Sequence, residues 1–156
     1  MRDHNIILIG DGGVGKTSLI HTLNTGEFNK RYCATVGAEV HPDEFNETCV
    51  NIWDVGGNNK YTTPREPYYA EADAAVIMYD VAHKTSYINV AKWLAEIRRA
   101  KPTIPIVLVA NKCEGDRLIA RSVACNTYNL PYFETSVKNR TNLTAPFNYL
   151  ATQLDM

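Results

Sequence analysis

Short apolar runs recur along the chain and predict the strands of a sheet. Their apolar residues follow one another with few polar interruptions, which is typical of strands buried on both faces of a parallel sheet. The runs of this kind are NIILIG (5–10), AAVIMYDV (74–81), IPIVLVANK (104–112) and LPYFETS (130–136). Two further strands, AEVHPDEF (38–45) and TCVNIWDV (48–55), are separated by Asn46 and Glu47 alone, which predicts a tight hairpin.

Apolar residues recur at helical spacing between the strands. In segment 16–28 these residues are Leu19, Ile20 and Leu23. Gly26 is expected to end that helix. In segment 86–100, which Ser86 is expected to cap, the apolar side comprises Ile88, Val90, Ala91, Leu94 and Ile97. Helices are also predicted over 117–128 and over 143–154, where Pro146 lies close enough to the start to be tolerated.

Alternating strands and helices predict an α/β fold, in which helices cover both faces of a mostly parallel sheet. The 156 residues, 45% of them hydrophobic, are expected to form one domain over 1–156 with a full core. Ligands of such folds bind at the carboxyl ends of the strands. The residues that follow each strand are therefore the first candidates for a functional site.

Charge and cysteine content disfavour several classes of function. With 16 basic and 17 acidic side chains and a net charge of −1, the chain lacks the basic excess that is typical of nucleic-acid binding. It has no run of roughly 18 apolar residues and no lipidation signal, so we expect no membrane anchor. The four cysteines have no metal-ligand spacing, which favours reduced thiols in an intracellular protein.

The first strand ends in GDGGVGKT (10–17), which matches the pattern GxxxxGK[ST] and is named here the phosphate-binding loop. Its glycines let backbone N–H groups surround phosphate oxygens, Lys16 brings a positive charge to the β- and γ-phosphates, and Thr17 offers a hydroxyl to Mg²⁺. The helix that follows adds the positive end of its dipole. An accidental match is disfavoured, because a strand precedes the motif and a helix follows it.

WDVGG (53–57) ends the second strand of the hairpin. Asp54 lies where a carboxylate supports Mg²⁺, often through water, and the N–H of Gly57 can donate to a γ-phosphate. This DxxG pattern is a weak signal alone. It gains weight because it follows a phosphate-binding loop and lies at a strand end.

NKCE (111–114) and TSVK (135–138) lie at the ends of the last two apolar strands. The amide of Asn111 can hydrogen-bond a purine edge, and the stem of Lys112 can lie over the ring. The N–H of Val137 can donate to a base carbonyl. Two base-reading loops at successive strand ends favour guanine over adenine.

These four motifs, in this order and at this spacing, resemble those of the Ras-like small GTPases. The stretch GEFNKRYCATVGAEVHP (26–42) narrows the resemblance to the Ran-type members, the nuclear transport GTPases. The resemblance implies a Ras-like P-loop NTPase fold, with six strands of which the second is antiparallel and five helices. It also implies a switch protein that binds GTP or GDP with Mg²⁺ and hydrolyses GTP.

The resemblance assigns roles to individual residues. The phosphates are held by Asp11, Gly12, Gly13, Val14, Gly15, Lys16, Thr17 and Ser18. Thr35 senses the γ-phosphate and joins Thr17 and Asp54 as a ligand of Mg²⁺. Phe28 packs edge-on against the guanine, and Tyr32 belongs to the same nucleotide site. The base is held by Asn111, Lys112, Glu114, Ser136, Val137 and Lys138, and the candidate catalytic residues are Lys16, Thr35 and Asn58.

Several residues depart from the family pattern. Asn58 replaces the catalytic Gln, which displaces the amide by roughly 1–1.5 Å and is expected to slow hydrolysis. Glu114 replaces the guanine-selecting Asp and is expected to weaken base binding by roughly 1–3 kcal/mol. Val137 replaces an Ala but keeps its N–H, so we expect a small effect. The helix near 122–128 lacks the family's basic stretch.

Two classes of function stay open. The first is a guanine-nucleotide switch that hydrolyses GTP slowly, and the second is a GTP-locked binding module or decoy with negligible hydrolysis. A P-loop phosphotransferase is disfavoured, because no lid or second substrate loop is recognisable. The resemblance implies an exchange factor, an activating protein and transport receptors as partners, a monomeric state, and a location in the nucleus and cytoplasm.

Overall fold

The apolar runs form one sheet in the computed structural model, which describes residues 4–23, 33–35, 38–55, 66–112 and 127–154. The strands are β1 (His4–Ile9), β2 (Cys33–Thr35), β3 (Ala38–Phe45), β4 (Thr48–Val55), β5 (Ala74–Asp80), β6 (Ile106–Asn111) and β7 (Tyr132–Glu134). Within these described residues the strand order is β2-β3-β4-β1-β5-β6-β7. All pairs from β4 to β7 are parallel, whereas β3 is antiparallel to both β2 and β4.

This sheet confirms the predicted α/β class, with a mostly parallel sheet and β3 as its antiparallel member. The short β2 lies at the edge and extends the six predicted strands. A segment of three residues is too short to show the alternation by which a strand is recognised in a sequence.

The described helices are α1 (Lys16–Leu23), α2 (Glu66–Ala70), α3 (Lys84–Ile88), α4 (Val90–Ala100) and α5 (Ala145–Leu154). They pack on both faces of the sheet, because the side chains of each strand alternate in direction. In β1, Ile7 and Ile9 face the core that contains residues of α2, α3 and α4. Ile6 and Leu8 face the opposite core, which contains residues of α1 and α5. Gly26 and most of the predicted helix 117–128 lie outside the described residues.

The segment predicted as one helix over 86–100 consists of two helices that meet at Asn89. The buried faces of the two helices therefore do not follow one continuous helical pattern. Ile88 is 57% exposed and Ala91 is exposed as well, so their assignment to the buried side was wrong. The buried side of α4 is formed by Val90, Trp93 and Ile97.

Ser86 is not the helix cap that the sequence suggested. It lies inside α3, which begins after His83. Its buried hydroxyl donates to the carbonyl of His83 at 2.7 Å and accepts from the N–H of Asp80 at 3.0 Å. Ser86 therefore fastens α3 to the end of β5.

The predicted hairpin joins β3 to β4, and Phe45 pairs with Thr48. Asn46 and Glu47 have φ angles of 51° and 65°. Both lie in the left-handed region, as a two-residue turn between twisted strands requires. No helix in the described part of the chain is long and apolar enough to cross a membrane.

Candidate functional site

The phosphate-binding loop follows β1 at the carboxyl edge of the sheet and leads into α1. Gly15 has a φ of 105°, and a Cβ atom there would collide with Nδ2 of Asn111. At Gly10 a Cβ atom would collide with the carbonyl oxygen of Met78. The loop therefore depends on glycine where it passes the ends of β5 and β6.

Lys16 points back into this loop. Its ammonium donates to the carbonyls of Gly10 at 2.8 Å and Asp11 at 2.7 Å. Burial lowers the pKa of Lys16, and the negative charges of Asp54 and Asp11 act in the opposite direction. Among the described residues this buried ammonium makes no ion pair, so its charge suits an anion such as a phosphate.

Thr17 and Asp54 come together from α1 and the end of β4. The hydroxyl of Thr17 donates to Oδ2 of Asp54 at 2.6 Å, and Asp54 is buried. Hydroxyl and carboxylate oxygens are ligands that Mg²⁺ accepts, usually together with water and substrate phosphates. The described residues include no group of three or more His, Cys, Asp or Glu that could hold a metal ion. Thr17 and Asp54 are thus the candidate magnesium ligands that the described residues bring together here.

Asn111, at the end of β6, connects the phosphate-binding loop to the TSVK loop. Its Nδ2 donates to the carbonyl of Val14 at 2.9 Å. Its Oδ1 accepts from the Thr135 hydroxyl at 3.1 Å and from the Val137 N–H at 3.3 Å. The side chain is 1% exposed, so one buried amide joins three segments of the site.

Lys112 crosses from the end of β6 to the phosphate-binding loop. Its φ is 64°, and its ammonium donates to the carbonyl of Gly13 at 3.0 Å. The same ammonium forms an ion pair with Asp80 at 2.9 Å. The Lys112 ammonium is thereby held between the phosphate-binding loop and the end of β5.

The remaining predicted residues are distributed as follows. Ser136 is buried, and its hydroxyl accepts from the N–H of Asn139 at 3.1 Å, while Lys138 is exposed. Gly12, Gly13 and Ser18 are exposed on the loop and on α1. The backbone of Thr35 belongs to β2 and pairs with Ala38. Outside the described residues lie Phe28, Tyr32, Gly57, Asn58 and Glu114.

Asp11 makes contacts that the sequence did not reveal. Its Oδ2 accepts from Nδ2 of Asn89 at 2.6 Å, and its Oδ1 accepts from Nε1 of Trp93 at 2.8 Å. Trp93 is buried in the core. Neither partner belongs to a motif, so no local signal in the sequence could have identified them.

Asp80 and Thr135 are further residues of the site to which the motifs assigned no role. Asp80 ends β5 and holds Lys112, and Thr135 follows β7 and holds Asn111. Asp80 could have been found, because it is an acidic residue at the carboxyl end of an apolar strand.

A family model described as Ras family matches residues 5–156 of the chain. The match spans all the strands, the phosphate-binding loop and both base-reading loops. Ras-family proteins in general bind guanine nucleotides with Mg²⁺, act as GTP-binding switches and hydrolyse GTP. The sheet order, the contacts of Lys16, Thr17 and Asn111, and this match together lead to one conclusion: the chain belongs to the Ras family.

Proposed function

We propose that this chain is a single small-GTPase domain over 1–156, a Ran-type switch that binds GTP or GDP with Mg²⁺ and hydrolyses GTP slowly. The observation that carries the proposal is the double attachment of the phosphate-binding loop. The hydroxyl of Thr17 donates to Asp54 on one side, and the carbonyl of Val14 accepts from the Asn111 amide on the other. A site for phosphates is thus joined to a candidate metal ligand and to a candidate base reader.

Each part of the nucleotide has candidate partners in this arrangement. The ammonium of Lys16 and the backbone N–H groups of residues 12–18 would bind the phosphates. Thr17, Thr35 and Asp54 would hold Mg²⁺, which when bound neutralises phosphate charge. Asn111, Lys112, Glu114 and the 136–138 segment would hold the guanine, with Phe28 and Tyr32 at the edges of the site.

Isothermal titration calorimetry tests the class of nucleotide. We expect GTP and GDP to bind in the presence of Mg²⁺ and ATP to bind far more weakly. Lys16→Ala is expected to abolish most of this binding, because it removes the buried ammonium. A control, Lys84→Ala, changes an exposed lysine of α3. ATP bound as tightly as GTP would refute the base assignment.

Slow hydrolysis is proposed because Asn58 stands where the family has its water-positioning Gln. The same amide on a shorter stem is misplaced, and misplacement on this scale can cost on the order of a hundredfold in rate. Single-turnover hydrolysis of radiolabelled GTP should therefore accelerate in Asn58→Gln. If Asn58→Gln does not change the rate, the amide at position 58 is not what limits the reaction.

A GTP-locked binding module is the second candidate, and the same substitution at Asn58 is the reason to keep it. The two candidates differ in the wild-type rate. A measurable single-turnover rate that an activating protein raises only in part supports the slow switch. No hydrolysis above the rate of free GTP, with binding retained, supports the module or decoy.

The Ran-type role is supported by the stretch 26–42, and we propose that the protein works in the nucleus and cytoplasm as a monomer. Exchange factor, activating protein and transport receptors are the proposed partners. Binding to transport receptors should be weakened, because segment 122–128 has no basic residue and charge complementarity governs association rate. A pull-down with GTP-loaded protein tests this. Recovery of an importin-type receptor at full family strength would contradict the proposed weakening.

A further inference from the structure

The carboxylate of Asp11 is held by two donors from outside the phosphate-binding loop. Asn89 donates to one oxygen at 2.6 Å and Trp93 to the other at 2.8 Å. Both donors come from the α3–α4 junction and α4, which pack on the face of the sheet opposite α1. The loop that leads into α1 is therefore also tied to the helical layer on the other side of the sheet.

Asn89 is used in this contact and not as a helix cap. It precedes α4, where an Asn side chain commonly accepts from the first helical N–H groups. In this chain its side chain makes no such bond, and its backbone angles are helical, with φ −72° and ψ −9°. Its side-chain amide donates to Asp11, so the side chain binds the phosphate-binding loop and not the end of a helix.

The direction of this carboxylate matters for a phosphate site. Asn89 and Trp93 are neutral donors, so neither brings a positive charge to the Asp11 carboxylate. The backbone carbonyl of the same residue accepts from the ammonium of Lys16 at 2.7 Å. A carboxylate free to rotate in this loop would repel phosphates, and movement of its backbone would displace the partner of Lys16.

We propose that Asn89 and Trp93 are positioning residues of the nucleotide site, which hold the Asp11 carboxylate toward α4 and so keep its charge from opposing the phosphates. This inference rests on the proposed function, because it concerns the affinity for a guanine nucleotide. It adds a role for α4 that no motif of the chain carries.

The test is a double-mutant cycle on the affinity for GDP in the presence of Mg²⁺. Trp93→Phe removes the indole N–H, so one carboxylate oxygen of Asp11 loses this donor while Asn89 still holds the other. The Kd of GDP should rise roughly tenfold, the scale expected when a hydrogen bond to a charged group is lost. In an Asp11→Asn background the same Trp93→Phe change should raise the Kd by about twofold or less, since no charge is released. A purely structural role of Trp93 would give equal losses in both backgrounds, and that result would overturn the proposal.

Asn89→Ala tests the same positioning role by removing the other donor to Asp11, and it leaves no cavity in the core. Asn89 is only half-buried and its side chain caps no helix, so the variant should fold. It should weaken GDP binding in the wild-type background, and the loss should shrink at high ionic strength, where charge repulsion is screened. A loss that high salt leaves unchanged counts against the proposal.

Trp53→Phe is the matched control. Its indole also donates to a polar side chain, Asn5, at 3.2 Å, but at the other end of β1. GDP affinity should stay at the wild-type value in this variant. If wild type binds no GDP, the proposed function is wrong. If wild type binds GDP and both Trp93→Phe and Asn89→Ala bind it equally tightly, the proposed function stands and the positioning role is wrong.

Discussion

Gly15 shows how closely a single residue limits the geometry of the site. Its φ of 105° is rarely adopted by other residues, and a Cβ atom would collide with the Asn111 amide. Gly15→Ala should therefore lower the free energy of unfolding by about 1–3 kcal/mol and displace Asn111 from Val14. Urea denaturation measures the first effect and GDP titration the second.

Gly12→Ala is the control for this substitution, because a Cβ atom at Gly12 meets no atom within 4 Å. Its unfolding free energy should stay within about 0.5 kcal/mol of wild type. Equal destabilisation by the two variants would show that the contact with Asn111 does not set the requirement at Gly15.

Glu114 lies outside the described residues, and its expected role in guanine selection follows from the sequence. Glu114→Asp shortens the side chain by one methylene and should restore a two-oxygen contact with the guanine N–H groups. The dissociation rate of labelled GDP should fall, by about tenfold for each 1.4 kcal/mol regained. Glu44→Asp, an exposed substitution on β3, should leave the rate unchanged. An unaltered or faster rate in Glu114→Asp would remove Glu114 as the selector of guanine.

Some residues of the site could be predicted from the sequence and others could not, for a physical reason. Lys16, Thr17 and Asn111 belong to short motifs in which neighbouring residues share one task. The partners of Asp11 lie 78 and 82 residues away along the chain. Asn89 and Trp93 donate neutral N–H groups, which many core and surface residues also do, so their types alone indicate no function.

The β3–β4 hairpin offers a test at the scale of an element. Asn tolerates the left-handed region, but Glu47 adopts a φ of 65° at a cost. Glu47→Gly should stabilise the protein by about 0.5–1 kcal/mol, because an Asn-Gly pair suits this turn. Thermal and urea unfolding measure the change. As a control, Glu44→Gly, one residue before the end of β3, should destabilise the protein. A loss of stability in Glu47→Gly would mean that Glu47 makes contacts that outweigh its strain.

Two tyrosines connect strands that are not neighbours. Tyr79 of β5 and Tyr132 of β7 place their hydroxyls 3.2 Å apart across β6, and Tyr132 donates to Glu134 at 2.7 Å. Burial, followed by the hydrogen bonds to Tyr79 and Glu134, raises the pKa of Tyr132 well above its ordinary value of 10.0. Above pH 10.0 the unfolded chain therefore loses a proton that the folded chain retains, so stability falls as pH rises.

Tyr132→Phe should remove this contribution to the pH dependence. Near pH 8 the variant should be less stable by about 1–3 kcal/mol, because the hydrogen bonds of the Tyr132 hydroxyl with Tyr79 and Glu134 are lost. Its deficit should shrink above about pH 10. Urea denaturation at both pH values measures the difference. Tyr149→Phe, which changes an exposed ring on α5, should have little effect, and a deficit for Tyr132→Phe that is constant with pH would contradict the assignment.

The elements were predictable where their pattern was long and uniform. β5 and β6 are buried throughout and β1 is buried from Ile6 to Ile9, and their apolar composition follows from that burial. The division of segment 86–100 was not predictable, because the polar Asn89 lies between residues that all suit a helix. At this division Ser86 bonds Asp80, six residues before it, and Asn89 bonds Asp11, 78 residues before it, and the second contact has no signal in the local sequence.

At the scale of the whole molecule, the nucleotide site draws on elements from both faces of the sheet. Binding of GDP with Mg²⁺ should therefore raise the stability of the entire domain, by about 4 kcal/mol when GDP is present at a thousandfold excess over its Kd. The melting temperature should rise by roughly 8–16 °C for a chain of this size. Chelation of Mg²⁺ by EDTA should remove much of the increase.

Thr17→Ala tests whether this increase passes through the candidate magnesium site. The variant lacks the hydroxyl that bonds Asp54, so its melting temperature with GDP should depend little on Mg²⁺. Thr152→Ala is the matched control, since that hydroxyl donates only to a carbonyl of α5 at 3.0 Å. A response to EDTA that is the same in Thr17→Ala as in wild type would place the metal elsewhere.

Asn111 has a consequence for how nucleotide preference could change during evolution or by design. The Asn111 amide belongs to the NKCE loop and hydrogen-bonds both the phosphate-binding loop and the TSVK loop. Its nitrogen donates to Val14, and its oxygen accepts from Thr135 and Val137. A substitution at this position cannot alter the choice of base alone, because it also releases Val14 and Thr135. Lys112 has the same restriction, since it holds Gly13 and Asp80. In the proposed site, a new specificity is therefore more accessible at the exposed Lys138 than at Asn111. In the proposed site, a change of nucleotide preference is thus constrained at Asn111, because its amide also holds two other segments in place.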